Sequence, residues 1–271
     1  SKSLRRLEHS MNAKLLKRTP KGVELTSVGS ALLARVRKLR LSLDDVTREI
    51  TDLSEGRAGH LRIGAAAGPA FQLVPMACAT LLKEAPKVSL KIAVSGNNAL
   101  LTDLRNGELD IAVTLIQGPR HEDLVEEHLN DDAWVVYASA AHRLAKRKQL
   151  TLADLVQERW ALGAVVSPME RLLTQALENS GLPPPNIAVE TTYLPARHHL
   201  VGATDLLAVG LRPLVRHGAK RFGIVELPVK DFTATRRGGV FYRKDAYLSP
   251  AARRFIEILK ATAKEIAAAK P

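Results

Sequence analysis

The sequence predicts an α/β protein, and three observations carry that reading. From His60 onward short apolar strands alternate with helices. One long helix with a heptad seam precedes them, and a short, strongly basic helix and hairpin come first. The 271 residues exceed what one hydrophobic core usually serves, so two or three packing units are expected.

Ser1–Glu8 reads as a helix: Leu4 and Leu7 share a face, Lys2, Arg5 and Arg6 point elsewhere, and Asn12 ends it. A lone helix of this length is unstable in water, so the chain reads as cut, with a partner segment expected upstream. Lys14–Arg18 and Val23–Leu25 flank Thr19-Pro20-Lys21-Gly22, a turn-forming stretch that predicts a hairpin with a basic tip. A basic helix followed by a basic hairpin suits DNA; a solvated charged surface is the alternative.

Thr26 is an N-cap residue type, and a helix follows it. The apolar positions Val28, Leu32, Val36, Leu39, Leu43, Val46, Ile50 and Leu53 are spaced by threes and fours. Arg37, Lys38, Arg40, Asp44, Asp45, Arg48, Glu49 and Asp52 occupy the other faces. So narrow a stripe suits a partner helix, and dimerisation is the direct inference; a surface helix packed on its own domain is the alternative. Gly56 and Gly59 end the helix.

Beyond them the period changes. Leu61–Ala65 predicts a strand, Pro69–Glu84 a helix, Val88–Val94 a strand, Asn98–Arg105 a helix and Asp110–Leu115 a strand. This β-α-β-α-β order implies a parallel sheet covered by helices. A second round runs through Trp134–Ser139, Leu152–Leu155, Trp160–Gly163, a helix Pro168–Ser180, a strand Ile187–Thr191, a helix Pro195–Gly202 and a strand Leu206–Gly210. Arg237–Tyr242 and a helix Pro250–Ala268 close the chain. Two α/β lobes joined by two crossovers resemble a periplasmic-type binding protein.

The net charge is +12 and the pI near 10, and the charge is concentrated. Residues 1–40 carry eleven basic side chains against two acidic ones, leaving +3 for the other 231. That distribution suits an acidic partner at the front of the chain. The single cysteine, Cys78, excludes an intramolecular disulfide and a cysteine-cluster metal site, and fits a reducing cytoplasm. Ala65–Leu82 lacks charge, but Gly68, Pro69, Gln72 and Pro75 interrupt it, so no membrane span is expected. Ser1–Lys21 is too basic and polar for a secretory leader, which makes a cytoplasmic protein the expectation.

The residues at the front also carry a family resemblance. Ser1-Lys2-Ser3-Leu4-Arg5-Arg6-Leu7-Glu8, then Lys14-Leu15-Leu16-Lys17-Arg18-Thr19, Gly22-Val23-Glu24-Leu25-Thr26 and Gly29, resemble the second half of the winged helix-turn-helix of LysR-type transcriptional regulators. His142-Arg143-Leu144-Ala145, Leu152-Ala153-Asp154-Leu155 and Gly181-Leu182-Pro183 extend the resemblance along the chain. It implies a partial winged helix-turn-helix at 1–26, a dimerising linker helix at 27–57 and an effector-binding domain at 58–271. Within the last, lobe I takes 58–133 and 238–271, and lobe II takes 134–237. The family's first two helices and the start of the third are absent, so operator binding below native affinity is expected of this polypeptide. The resemblance implies that Ser1, Lys2, Ser3 and Arg5 approach double-stranded DNA, with Arg18 and Lys21 near phosphate. It also implies self-association, as a dimer through the linker helix and a tetramer through the effector domains.

Ligands of open α/β sheets sit beyond the carboxyl ends of strands, where helix N-termini present free N–H groups. Here those starts are Gly68-Pro69, Gly96-Asn97-Asn98, Ser167-Pro168 and Leu194-Pro195, although each is also an ordinary helix start. By resemblance Gly68, Asn97, Leu115, Ser167 and Tyr193 fall at effector-contacting positions, with Arg197 and His198 as charged or titratable candidates. Pro69 and Asn98 adjoin them, and Ala164, Val165 and Val166 make one rim apolar. A small organic acid with an aromatic or aliphatic body is the expected effector. No metal-ligand spacing, nucleophile elbow, phosphate loop or dinucleotide fingerprint occurs, so neither a cofactor nor an enzymatic reaction is expected. A cytoplasmic solute-binding protein and an enzyme on a two-lobed scaffold remain the alternatives.

Overall fold

A computed structural model describes residues 2–20, 22–55, 59–163, 168–232 and 234–268. Helix α1 (Lys2–Ser10) ends just before Asn12, whose φ of 47° lies in the left-handed region that asparagine tolerates. Strands β1 (Leu16–Thr19) and β2 (Gly22–Leu25) form an antiparallel hairpin in the register Leu16↔Leu25. Glu8 ties the helix to the hairpin: its Oε1 accepts from the Leu15 N–H at 2.8 Å. Those backbone donors and the Lys14 ammonium hold the Glu8 carboxyl below the usual carboxylate range.

The linker helix α2 (Ser27–Glu55) starts on a satisfied cap, the Thr26 hydroxyl accepting from the Gly29 N–H at 2.9 Å. Its apolar seam faces outward: Val36 is 50% exposed, Leu39 66%, Leu43 69% and Ile50 60%. The opposite face rests on the following domain, where Leu41 packs over Gly107. A Cβ at Gly107 would lie 2.1 Å from Leu41 Cδ2, and the φ of +73° there also requires glycine. Asp45 is buried on this face.

The domain begins with β3 (His60–Ala65), α3 (Ala67–Phe71), α4 (Leu73–Glu84), β4 (Ser89–Val94), α5 (Asn97–Arg105) and β5 (Ile111–Leu115). Strand β6 (Leu124–Ser139) follows, then β7 (Arg159–Leu162), α6 (Pro168–Asn179), β8 (Asn186–Glu190), α7 (Leu194–Ala203) and β9 (Ala208–Leu211). Helix α8 (Arg212–Phe222), β10 (Ile224–Glu226), β11 (Ala234–Arg243) and α9 (Pro250–Ala268) complete it. The strand order is β10-β6-β11-β5-β3-β4, with β9 also on β6, and β7 pairs with β8 in parallel.

Two strands run through both halves of this arrangement. The first part of β6 pairs with β11, from Leu124↔Arg243 to Trp134↔Ala234, beside the parallel strands β5, β3 and β4. Its last residues pair with β9 and β10. One core lies between β3, β5 and the helices α4 and α9, centred on Ile63, Leu81 and Phe255. Another gathers Leu144, Leu155, Trp160 and Leu173. Each such side chain taken out of water contributes about 1.5–3 kcal/mol. A small cluster of Leu194, Leu211 and Leu214 joins Phe71 and Trp134 where the halves meet.

Four details depart from the sequence-based expectation. The helix expected over Pro69–Glu84 is broken at Gln72, where φ −135° and ψ −58° leave the helical region. The strand expected at Trp134–Ser139 starts ten residues earlier, because the charged run Glu126–Asp132 is carried on a strand with one face toward solvent. Leu152–Leu155 forms a short 3-10 helix, capped by Thr151 and Asp154, and no strand. Helix α8 and strand β10 were not anticipated; Pro213 at the helix start and a basic, weakly apolar sequence conceal α8. The expected helix end at Gly56 falls outside the described residues. Among the described residues no helix is long and apolar enough to cross a membrane.

Candidate functional site

A cavity of about 250 Å³ opens where the two halves meet. One side is backbone-rich: Ala66, Ala67 and Gly68 follow β3, Thr114 and Leu115 end β5, and Asn97 begins α5. The Thr114 hydroxyl, buried, donates to Asn97 Oδ1 at 2.7 Å and so joins the end of β5 to the start of α5. The facing side is Leu194, Gly210, Leu211 and Leu214 from α7, β9 and α8, together with Gly163 after β7. Trp134 and Arg236 form the wall between them, on the crossing strands.

Two arginines reach the cavity, and their surroundings differ. Arg197 on α7 donates from Nη1 to Glu170 Oε1 at 3.3 Å, and both residues are buried. The same oxygen accepts from the Gly163 N–H at 2.7 Å. A Cβ at Gly163 would lie 2.7 Å from that oxygen, so this close approach needs glycine. A buried carboxylate held by an arginine and a backbone N–H is a structural tie between α6, α7 and β7.

Arg236 is placed by strand register. It stands opposite Asp132 in the β6–β11 pairing, and Trp134 is its diagonal neighbour on the same face. The guanidinium carbon lies 5.2 Å from the centre of the Trp134 ring, while Asp132 Oδ2 is 3.8 Å from Nη2. Burial pushes Arg236 down to about 10, against the pull of Asp132, which leaves it protonated at neutral pH. Burial raises the Asp132 carboxyl despite the nearby arginines.

Among the residues expected at the effector site, Gly68, Asn97, Leu115 and Arg197 line the cavity. Pro69 lines a smaller neighbouring recess instead. Asn98 is exposed beside Asn97 and Tyr193 is 67% exposed; neither lines the cavity. His198 does not line the cavity: it is fully buried against Phe71, Tyr137 and Phe222, one helical position past the cavity-facing Arg197. Val166 and Ser167, with Ala164 and Val165, lie outside the described residues. Sequence reasoning missed Thr114, Trp134, Glu170 and Arg236, which come from strands and helices far apart in the chain.

At the front, Lys2, Ser3, Arg5 and Arg18 are all exposed, while Ser1 and Lys21 lie outside the described residues. No group of three or more His, Cys, Asp and Glu side chains among the described residues could hold a metal ion. Cys78 is buried in the first core, where desolvation pushes its thiol up to about 11.

Strands crossing between two α/β halves, with a cavity at their junction, define a two-lobed binding domain, here attached to a long helix. The chain belongs to the LysR family of transcriptional regulators: the model described as the LysR substrate binding domain matches residues 54–264. It is 27% identical over 265 residues to the HTH-type transcriptional regulator GbpR of Azospirillum brasilense, covering 96% of this chain and 77% of GbpR. Full-length CbnR complexed with its target DNA shares the fold with a TM-score of 0.57 at 17% identity, covering 97% of this chain and 88% of CbnR. The effector binding domain of QuiR in complex with shikimate gives 0.61 at 18% identity over 76% of this chain and 98% of that domain. GbpR and its kin are named as transcriptional regulators and not as enzymes.

Proposed function

We propose that this chain is the dimerising, effector-sensing portion of its regulator, with DNA contacts at its front, and that its effector is a small organic acid held in the junction cavity. The cavity carries the reading: it is enclosed by both halves of the domain, apolar over much of its wall and supplied with two arginines. QuiR is described with shikimate bound, which is consistent with an acid of this size. The division is 1–26 for the partial winged helix-turn-helix, 27–57 for the linker helix and 58–271 for the effector domain. Its lobes are 58–133 with 238–271, and 134–237.

In this reading Lys2, Ser3 and Arg5 on α1 face the DNA groove and Arg18 on the hairpin meets phosphate; Ser1 and Lys21, outside the described residues, are proposed to share in the same contacts. The exposed seam of α2 pairs with a second copy. A further pairing through the effector domain is supported by β4, the last strand of the sheet, where Ile92 is 45% and Val94 60% exposed. The pair of such contacts builds a tetramer, and the protein works in the cytoplasm. Effector binding changes the spacing of the DNA-reading heads.

Asn97→Trp tests the cavity. It fills the space beside Thr114 and removes the acceptor of that buried hydroxyl, so the variant is expected to fold with a somewhat lower melting temperature than the parent and to lose stabilisation by any effector acid found in a thermal-shift screen. Undiminished stabilisation of the variant places the effector elsewhere.

A further inference from the structure

Resting on the reading of the cavity as the effector site, we infer that Arg236 is the residue that recognises the effector, and that the effector is a monoanion with an apolar body laid against Trp134.

The argument begins with which charge is already used. Arg197 faces a buried carboxylate with which it hydrogen-bonds, so a second anion arriving there would meet Glu170. Arg236 differs in that Asp132 lies 3.8 Å away, beyond hydrogen-bond reach. Its Nε is buried without a hydrogen-bond partner among the described residues, as is that of Arg197, so the two differ in the carboxylate that only Arg197 hydrogen-bonds. Leaving a buried guanidinium N–H unpaired is unfavourable, and a planar carboxylate offers the two acceptor oxygens that its fork of donors fits.

The surroundings set the rest of the ligand. A Cβ at Gly68 would lie 2.6 Å from Leu211 Cδ1 and 3.6 Å from Arg236 Nη2. The missing side chain at Gly68 therefore makes room for Leu211, with the guanidinium at ordinary contact distance beside it. The walls next to it, Trp134, Leu115, Leu211 and Leu214, offer apolar contact, and the cavity's other cation, Arg197, is already paired with Glu170. With Asp132 already close, a dianion would bring more negative charge than Arg236 offsets in a poorly solvated space. One carboxylate on a compact aliphatic or aromatic body satisfies the donors and fills the volume.

The test uses the whole chain in thermal-shift measurements with propionate, isobutyrate, hexanoate and benzoate, each at about 10 mM, against the four matching primary amides. At least one acid is expected to raise the melting temperature by about 3 °C while its amide, equal in shape but neutral, does not. Arg236→Gln is expected to abolish that rise, and Arg236→Lys to retain part of it, because the charge survives and the planar fork does not. Arg197→Gln is expected to lower the melting temperature without ligand and to leave the acid-induced rise in place. Amides that stabilise as well as acids overturn the inference while leaving the cavity as the effector site. A rise that survives in Arg236→Gln and vanishes in Arg197→Gln overturns it in favour of Arg197. Stabilisation by neither series overturns the inference, and a rise equally present in Asn97→Trp overturns the cavity reading on which it rests.

Discussion

Arg243, the last residue of β11, donates from Nη2 to both carboxylate oxygens of Asp45 on the linker helix, at 3.0 and 3.2 Å. The two residues are 198 positions apart, and their side chains are 15% and 10% exposed. Arg48, one turn along the helix, bonds Asp45 and also reaches Asp110, which Arg62 holds through its side chain and backbone N–H. The linker helix is thus locked to β3, to the residue before β5 and to the end of β11. Strand β11 also carries Arg236, so one strand touches both the cavity and the linker.

Removing one partner of a buried pair and leaving the other charge uncompensated typically costs about 3 kcal/mol, but Asp45 keeps Arg48 when Arg243 is removed. Arg243→Ala is therefore expected to lower the urea midpoint by less than that full cost. Asp45→Ala adds less on that background than alone, with a coupling energy of about 1–3 kcal/mol in a double-mutant cycle. Strict additivity of the two substitutions would show that the contact contributes nothing of its own.

Much of this was legible in the sequence, and the rest was hidden for physical reasons. The heptad seam of α2 and the alternation from β3 to β5 are local patterns, repeated every few residues, and the structure follows them. Gly68, Asn97 and Leu115 stand at chain turns that any parallel sheet places at one edge, so they too could be read. Arg236 and Trp134 could not, because they lie 102 positions apart and become neighbours only through the register of two antiparallel strands. The Glu126–Asp132 stretch, rich in charge, carries no local sign that it belongs to a strand. Arg197 and His198 are adjacent in sequence and were equivalent candidates; the helix turns one toward the cavity and the other into a ring cluster.

The seam on α2 gives a prediction about assembly. Leu39 and Leu43 are the most exposed of its apolar residues among those described, and a heptad partner would cover both. Replacing both with lysine places two ammonium groups in that contact while disturbing nothing in the chain's own core. Sedimentation of the double variant is expected to show a smaller species than the parent at the same micromolar concentration, with an unchanged helical circular-dichroism signal. An identical sedimentation coefficient would mean that the seam is not a contact between chains.

The buried histidine gives a prediction about pH. His198 has no exposed surface, and burial pushes it down to about 4, with the neighbouring Arg197 charge adding to the shift. Phe71, Tyr137 and Phe222 meet its ring edge-on, at centroid distances of 6.2, 5.3 and 5.6 Å, so a charged imidazolium there would be poorly solvated. The folded protein thus keeps the ring neutral where the unfolded chain, with an ordinary value of about 6.5, takes up a proton. The contribution is fully present above about pH 6.5 and is lost as pH falls toward 4, at about 1.4 kcal/mol per pH unit. Burial pushes Asp110 the other way, but the Arg62 hydrogen bonds and the Arg62 and Arg48 charges outweigh it and hold that carboxyl below its usual range. Its contribution is therefore lost only below about pH 4, outside this window. Urea midpoints measured at pH 7, 6 and 5 are expected to fall for the parent and to fall less steeply for His198→Leu, whose side chain suits the same cluster. Parallel pH profiles for the two proteins would show that the histidine is not the group that titrates.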